Sequence, residues 1–134
     1  MIFVDTGPWI ARYLQRDQFH AEAVEGWKTL RAKRWPLFTS NFVLDEAITL
    51  IGRWAGHSFA AARARSIYDS SVLTILRPTA GDERAALGLF EKFADQKVSF
   101  TDCISFALMK QHAMKRAFTF DRHFASAGFS IWRP

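Results

Sequence analysis

The sequence predicts a three-layer α/β sandwich, with helices on both faces of a mainly parallel sheet. Three observations carry that expectation. Apolar runs of four to six residues alternate with helical stretches along the whole chain. The alternation fills 134 residues without a linker, repeat or low-complexity tract. Hydrophobic residues make up 49% of the chain and aromatics 15%, enough for a packed core and too much for a disordered one. A chain of this length is expected to be one domain, residues 1–134, burying roughly two-thirds of its unfolded surface.

The elements follow in order. Ile2–Asp5 is a strand, and Gly7-Pro8 opens a helix through about Leu14, with Pro8 in a first turn where its missing N–H is not needed. A second helix covers His20 to Lys33, with Ala23, Val24, Trp27 and Leu30 on one face. Pro36 breaks it, and Leu37–Thr39 is the second strand. Ser40 or Asn41 caps a helix from Phe42 to about Trp54, ended by Gly56, and Ser58 caps the next to about Tyr68. Val72–Leu76 is the third strand, a helix follows from about Asp82 to Phe93, and Ser99 opens another through Gln111. Arg116–Asp121 and Ser130–Trp132 are the last two strands.

Composition narrows the function. No window approaches the roughly 18 apolar residues of a membrane span, and the start lacks the basic region of a signal peptide. The lone Cys103 excludes an internal disulfide and the paired-cysteine zinc motifs. A cytoplasmic location fits. Lysines and arginines number 18 against 13 acids. With four acids assigned to a site, nine face those 18, a balance that favours a polyanionic partner.

Those four acids are Asp5, Glu46, Asp102 and Asp121. Asp5 and Asp121 close strands, and Glu46 and Asp102 sit in the opening turns of apolar helices. In a parallel sheet these places share the carboxyl edge. Each acid also has a local explanation. Asp5 and Asp121 can cap the helices that follow them. Ser99-Phe-Thr-Asp102 has the form of a capping box. Glu46 can answer Arg53 or a helix dipole. Its neighbour Asp45 lies on a polar stripe with Asn41 and Thr49, whereas Glu46 shares a face with Phe42, Val43 and Leu50. An acid on an apolar face needs a cation or hydrogen bonds. Independent caps need not converge; strand-end acids do. Four close carboxylates require a hard cation, Mg²⁺ or Mn²⁺, to ionise together. Thr119, two residues before Asp121 on the same strand face, is positioned to support the cluster, as are Thr6 and Ser99. The histidines are scattered, His123 alone lying near an acid of the set. A haloacid-dehalogenase pattern fails because Gly7 stands where a second Asp is required.

The segments Phe3-Val4-Asp5-Thr6, Thr39 through Glu46, Ser99-Phe-Thr-Asp102 and Phe120-Asp121-Arg122-His123-Phe124 resemble the PIN-domain ribonucleases, in particular the VapC-type toxins of type II toxin–antitoxin systems. They occur in the family's order over nearly the whole chain. The resemblance implies a Rossmann-like sandwich, Mg²⁺ on the quartet Asp5, Glu46, Asp102 and Asp121, RNA as substrate, a VapB-type antitoxin as partner and a homodimer. The implied reaction is phosphodiester hydrolysis by in-line attack of water, leaving a 5′-phosphate. Arg12, Arg53 and Arg122 are candidate phosphate contacts, and Trp9 and Trp54 are the tryptophans expected to be exposed. Two alternatives stay open: a processing nuclease outside a toxin–antitoxin system, and a non-catalytic RNA- or protein-binding module.

Overall fold

The computed structural model describes residues 1–134. In chain order its elements are β1 (Ile2–Val4), α1 (Thr6–Tyr13), α2 (His20–Lys33), β2 (Leu37–Ser40), α3 (Asn41–Ala55), α4 (His57–Tyr68), β3 (Leu73–Leu76), α5 (Ala80–Lys92), α6 (Phe100–Gln111), β4 (Arg116–Phe118), α7 (His123–Ser126) and β5 (Ser130–Trp132). The sheet order is β3-β2-β1-β4-β5 and every pairing is parallel. The chain therefore builds outward from β1 in one direction, then returns to add β4 and β5 on its other side. That reversal puts a crevice between the carboxyl ends of β1 and β4, where ligands of open α/β sheets bind.

Burial follows from position in the sheet. All three residues of β1 are fully buried, as a central strand covered on both faces demands. In α6 the seven consecutive residues Cys103 to Met109 are buried, which makes it the interior helix its apolar composition predicts. Phe106 anchors it, edge-on to Phe93 and Phe124 and stacked near Phe129.

Several boundaries move for local physical reasons. β4 ends at Phe118 rather than Asp121, because the Thr119 hydroxyl accepts the Asp121 N–H at 3.0 Å and turns the chain out of the ladder. Ser58 caps nothing: Gly56, at φ +95°, ends α3 and begins α4 directly at His57, a backbone conformation that glycine adopts without strain. Ser40 rather than Asn41 caps α3, its Oγ accepting the Val43 N–H at 3.1 Å. α5 starts earlier than expected, on a capping box in which Thr79 and Asp82 exchange hydrogen bonds. α7 was not anticipated; four residues are too few to show a period. Trp9 is buried, packed at 4.5 Å between ring centroids against Trp27, whereas Trp54 is 76% exposed. No helix is long and apolar enough to cross a membrane.

Candidate functional site

Asp5, Glu46, Asp102 and Asp121 all line one cleft of about 420 Å³ at the carboxyl edge of the sheet. Four chain segments deliver them. β1 ends at Val4, and the Asp5 N–H extends its pairing by donating to the Phe118 carbonyl at 3.0 Å. Asp121 follows β4, Glu46 projects from the second turn of α3, and Asp102 from the first turn of α6. Asp45, one residue from Glu46, is exposed and outside the cleft.

Hydrogen bonds commit one oxygen of each aspartate. Asp5 occupies the N-cap position of α1 but makes no side-chain cap bond. Its Oδ2 instead accepts the Thr119 hydroxyl at 2.8 Å. The same hydroxyl accepts the Asp121 N–H, so Thr119 joins the two strand-end acids. Asp102 does close a capping box: its Oδ2 accepts the Ser99 N–H at 3.0 Å while Ser99 Oγ accepts the Asp102 N–H. Asp121 Oδ1 accepts the His123 N–H at 2.8 Å, and His123 Nδ1 lies 2.7 Å from the same oxygen. For Asp102 and Asp121 the local explanation and the cleft position thus coexist. Glu46 forms no ion pair with Arg53.

The remaining oxygens fit a hard cation. Asp5 Oδ1 is buried with no hydrogen-bond partner, a costly state for a carboxylate, and Asp102 and Asp121 each keep one oxygen outside these bonds. As they stand, no three side chains form a ready-made ligand set. Electrostatics nonetheless favours a cation. Burial, then the charges of Asp102 and Asp121, push the Asp5 carboxyl up from 3.8 to about 7, against the nearby Thr6 N–H and the hydrogen bond from Thr119. Burial, followed by Asp121 and Glu46, raises Asp102 as well. Carboxylates strained in this way are relieved by oxygen-preferring divalent ions.

Of the supporting residues, Thr6 and Ser99 line the cleft, and the fully buried Thr119 bridges Asp5 and Asp121 from beneath. The three arginines do not line it. Arg12 sits two turns along α1 from Asp5, about 10 Å at 1.5 Å per residue, with its guanidinium 4.6 Å from the centre of the Trp27 ring. Arg53 and Arg122 are exposed outside the cleft. Sequence reasoning missed Asp17, Gln18 and Phe19, which line the cleft from the loop between α1 and α2. A polar interhelical loop carries no signal of where it folds.

The PIN domain family matches residues 2–130. The chain belongs to the PIN-domain family. Within it, the chain is 38% identical over 135 residues to the 23S rRNA-specific endonuclease VapC20 of Mycobacterium tuberculosis, covering 100% of this chain and 99% of the relative. The crystal structure of that sarcin–ricin-loop-cleaving toxin superposes with a TM-score of 0.89 at 37% identity over 100% of both chains. VapBC2 of Rickettsia felis, solved with a fragment of promoter DNA, matches with a TM-score of 0.72 at 14% identity over 98% of both chains, a likeness of fold alone. The chain is thus a homologue of VapC-type endoribonuclease toxins, on the all-parallel PIN fold.

Proposed function

We propose that this PIN domain is a Mg²⁺-dependent endoribonuclease toxin that cuts the sarcin–ricin loop of 23S rRNA, with Mn²⁺ able to substitute. The observation that supports it is the meeting of four carboxylates from four segments in one cleft of a basic protein. The substrate follows from full-length similarity to an rRNA-specific endonuclease.

Asp5 and Asp102 would hold the principal ion, and Asp121 and Glu46 would complete the set. When bound, Mg²⁺ supplies charge neutralisation at the scissile phosphate and an acidified water as nucleophile. The protein's own part is positioning. Thr119 fixes Asp5 relative to Asp121, and Ser99 fixes Asp102 at the start of α6. Burial and the neighbouring acids raise Asp5 to about 7, and a divalent ion held there would favour its ionised form. No histidine pair lines the cleft to drive attack by the RNA 2′-hydroxyl; in-line attack by water, with the 3′-oxygen as the leaving group, would give a 5′-phosphate and a 3′-hydroxyl. A VapB-type antitoxin and a second copy of the chain are the partners proposed with this function.

The test is incubation of ribosomes and of total RNA with the purified protein in Mg²⁺ and in EDTA, followed by end-mapping. One metal-dependent cut in the sarcin–ricin loop, bearing a 5′-phosphate and lost in Asp102→Asn, is expected. Cutting elsewhere would overturn the substrate; intact RNA would overturn the nuclease.

A further inference from the structure

The cleft has an unusual wall for a site that must hold a polyanion. Five acids line it, Asp5, Asp17, Glu46, Asp102 and Asp121, and no lysine or arginine does. Bound cations can hold the scissile phosphate, but they cannot grip or select the nucleotides beside it. The remaining lining includes two aromatic rings, Phe19 and Phe120.

These rings form a built surface. They stack at 4.4 Å between centroids and 11° between planes. Phe120 precedes Asp121 directly, and it is braced from behind: Phe118 meets it edge-on at 5.8 Å, and Arg133 lies 5.1 Å from its centroid while ion-paired to Glu22. Gly7 allows the close approach, since a Cβ there would come within 3.2 Å of the Phe120 ring. Phe19 is held as firmly. Its N–H donates to Asp17 Oδ1 at 2.8 Å, its carbonyl accepts the Ala23 N–H, and the neighbouring His20 ring contacts the Ala11 carbonyl at 2.6 Å. Both phenylalanines remain only half-buried. A fixed, partly exposed aromatic pair in an acidic wall that no lysine or arginine lines matches the stacking surfaces that hold single-stranded bases.

We propose that Phe19, backed by Phe120, is the platform on which a nucleobase next to the scissile phosphate stacks, and so is a specificity-determining residue of the cleft. This rests on the nuclease reading above and adds to it the group that holds the base.

The test is a cycle between protein and RNA. Wild type, Phe19→Leu and Phe19→Trp are each given a hairpin substrate, intact or with an abasic nucleotide at one position flanking the cut. Cleavage is read in Mg²⁺, and affinity is read by fluorescence anisotropy in Ca²⁺. Leucine keeps the apolar volume without a π-face; tryptophan enlarges the face. An abasic site at one position is expected to weaken wild-type binding about 10- to 100-fold. Phe19→Leu should weaken binding of intact RNA by a similar factor and become indifferent to the abasic site, while Phe19→Trp keeps wild-type behaviour. Mn²⁺ affinity should be unchanged in all three proteins, and Phe19→Leu should stay folded with a melting temperature lowered by loss of the Phe120 stack. Independent, additive losses from Phe19→Leu and the abasic site, or intact RNA bound equally by wild type and Phe19→Leu, would overturn the platform even if RNA is cut. Coupled binding losses without any cleavage would sustain the platform and overturn the nuclease.

Discussion

The acidic cleft and the broad groove beside α1 and α2 differ in almost every respect. The groove, about 880 Å³, runs beside α1, α2 and α4 and is lined by Trp27, Trp35, Arg12, Lys28, Arg31 and Arg34 among others, without one acid or histidine. The cleft has about half that volume, about 420 Å³, and is lined by five acids. Volume and aromatic lining would direct attention to the groove, but it holds no base, nucleophile pair or ligand set. The cleft is poor in volume and rich in groups whose ionisation is opposed. Topology, which brings strand ends to one edge, locates the chemistry better than size does.

The largest effect expected from breaking this contrast is on cleavage. Asp5→Asn or Asp102→Asn should lower the rate of RNA cutting by about a thousandfold or more, the loss of several kcal/mol of metal-derived stabilisation. Arg31→Ala, in the groove, should leave cleavage of a short hairpin within about twofold, measured in single turnover. Equal losses from both would erase the distinction between the regions.

Second is the response of stability to pH. The folded value of Asp5, about 7, lies above its ordinary 3.8, so the folded protein keeps a proton that the unfolded chain releases between those values. The stability this contributes is full below about pH 4 and lost as the pH climbs to about 7; Asp102, also raised, adds in the same direction. Metal-free melting temperature should therefore fall over that window. Asp5→Asn should flatten the fall, gaining on the order of 4 kcal/mol at pH 8. Mg²⁺ should stabilise wild type more at pH 8 than at pH 5, as calorimetry can follow.

Third, Thr119→Val removes the hydroxyl that joins Asp5 to Asp121. A weakening of metal affinity by about 10- to 100-fold is expected, as for other residues that orient ligands, with cleavage recovering at high Mg²⁺. Failure to recover would mean that Thr119 acts on substrate. The smallest effect belongs to the groove: Arg12→Ala, which removes the cation from the Trp27 ring, should cost about 0.5–1 kcal/mol of stability by denaturant titration without a change in cutting.

Much of the fold was legible because its signals are local. Asp5 directly after β1, the Ser99–Asp102 capping box and the apolar run of α6 each mark an element or its end, whereas β4 stops at Phe118, short of Asp121. Glu46 was separable from Asp45 by helical face alone. What escaped depends on distant partners. The loop carrying Asp17 and Phe19 reaches the cleft by meeting Phe120, a contact across about a hundred residues of sequence that no period records. Trp9 is buried by Trp27, which its own neighbourhood does not announce. Arg12, close in sequence to Asp5, was carried away from the cleft by the rise of α1.

The central claim is that Asp5, Glu46, Asp102 and Asp121 act as one cation-holding unit. Mn²⁺ titration followed by electron paramagnetic resonance tests it most directly, on wild type and on the four single variants to Asn or Gln. The account predicts saturable binding in wild type, weakened in every variant and most in Asp5→Asn and Asp102→Asn, with Arg31→Ala unaffected. Wild-type affinity in the Asp5→Asn and Asp102→Asn proteins, or no saturable binding at all, would contradict it.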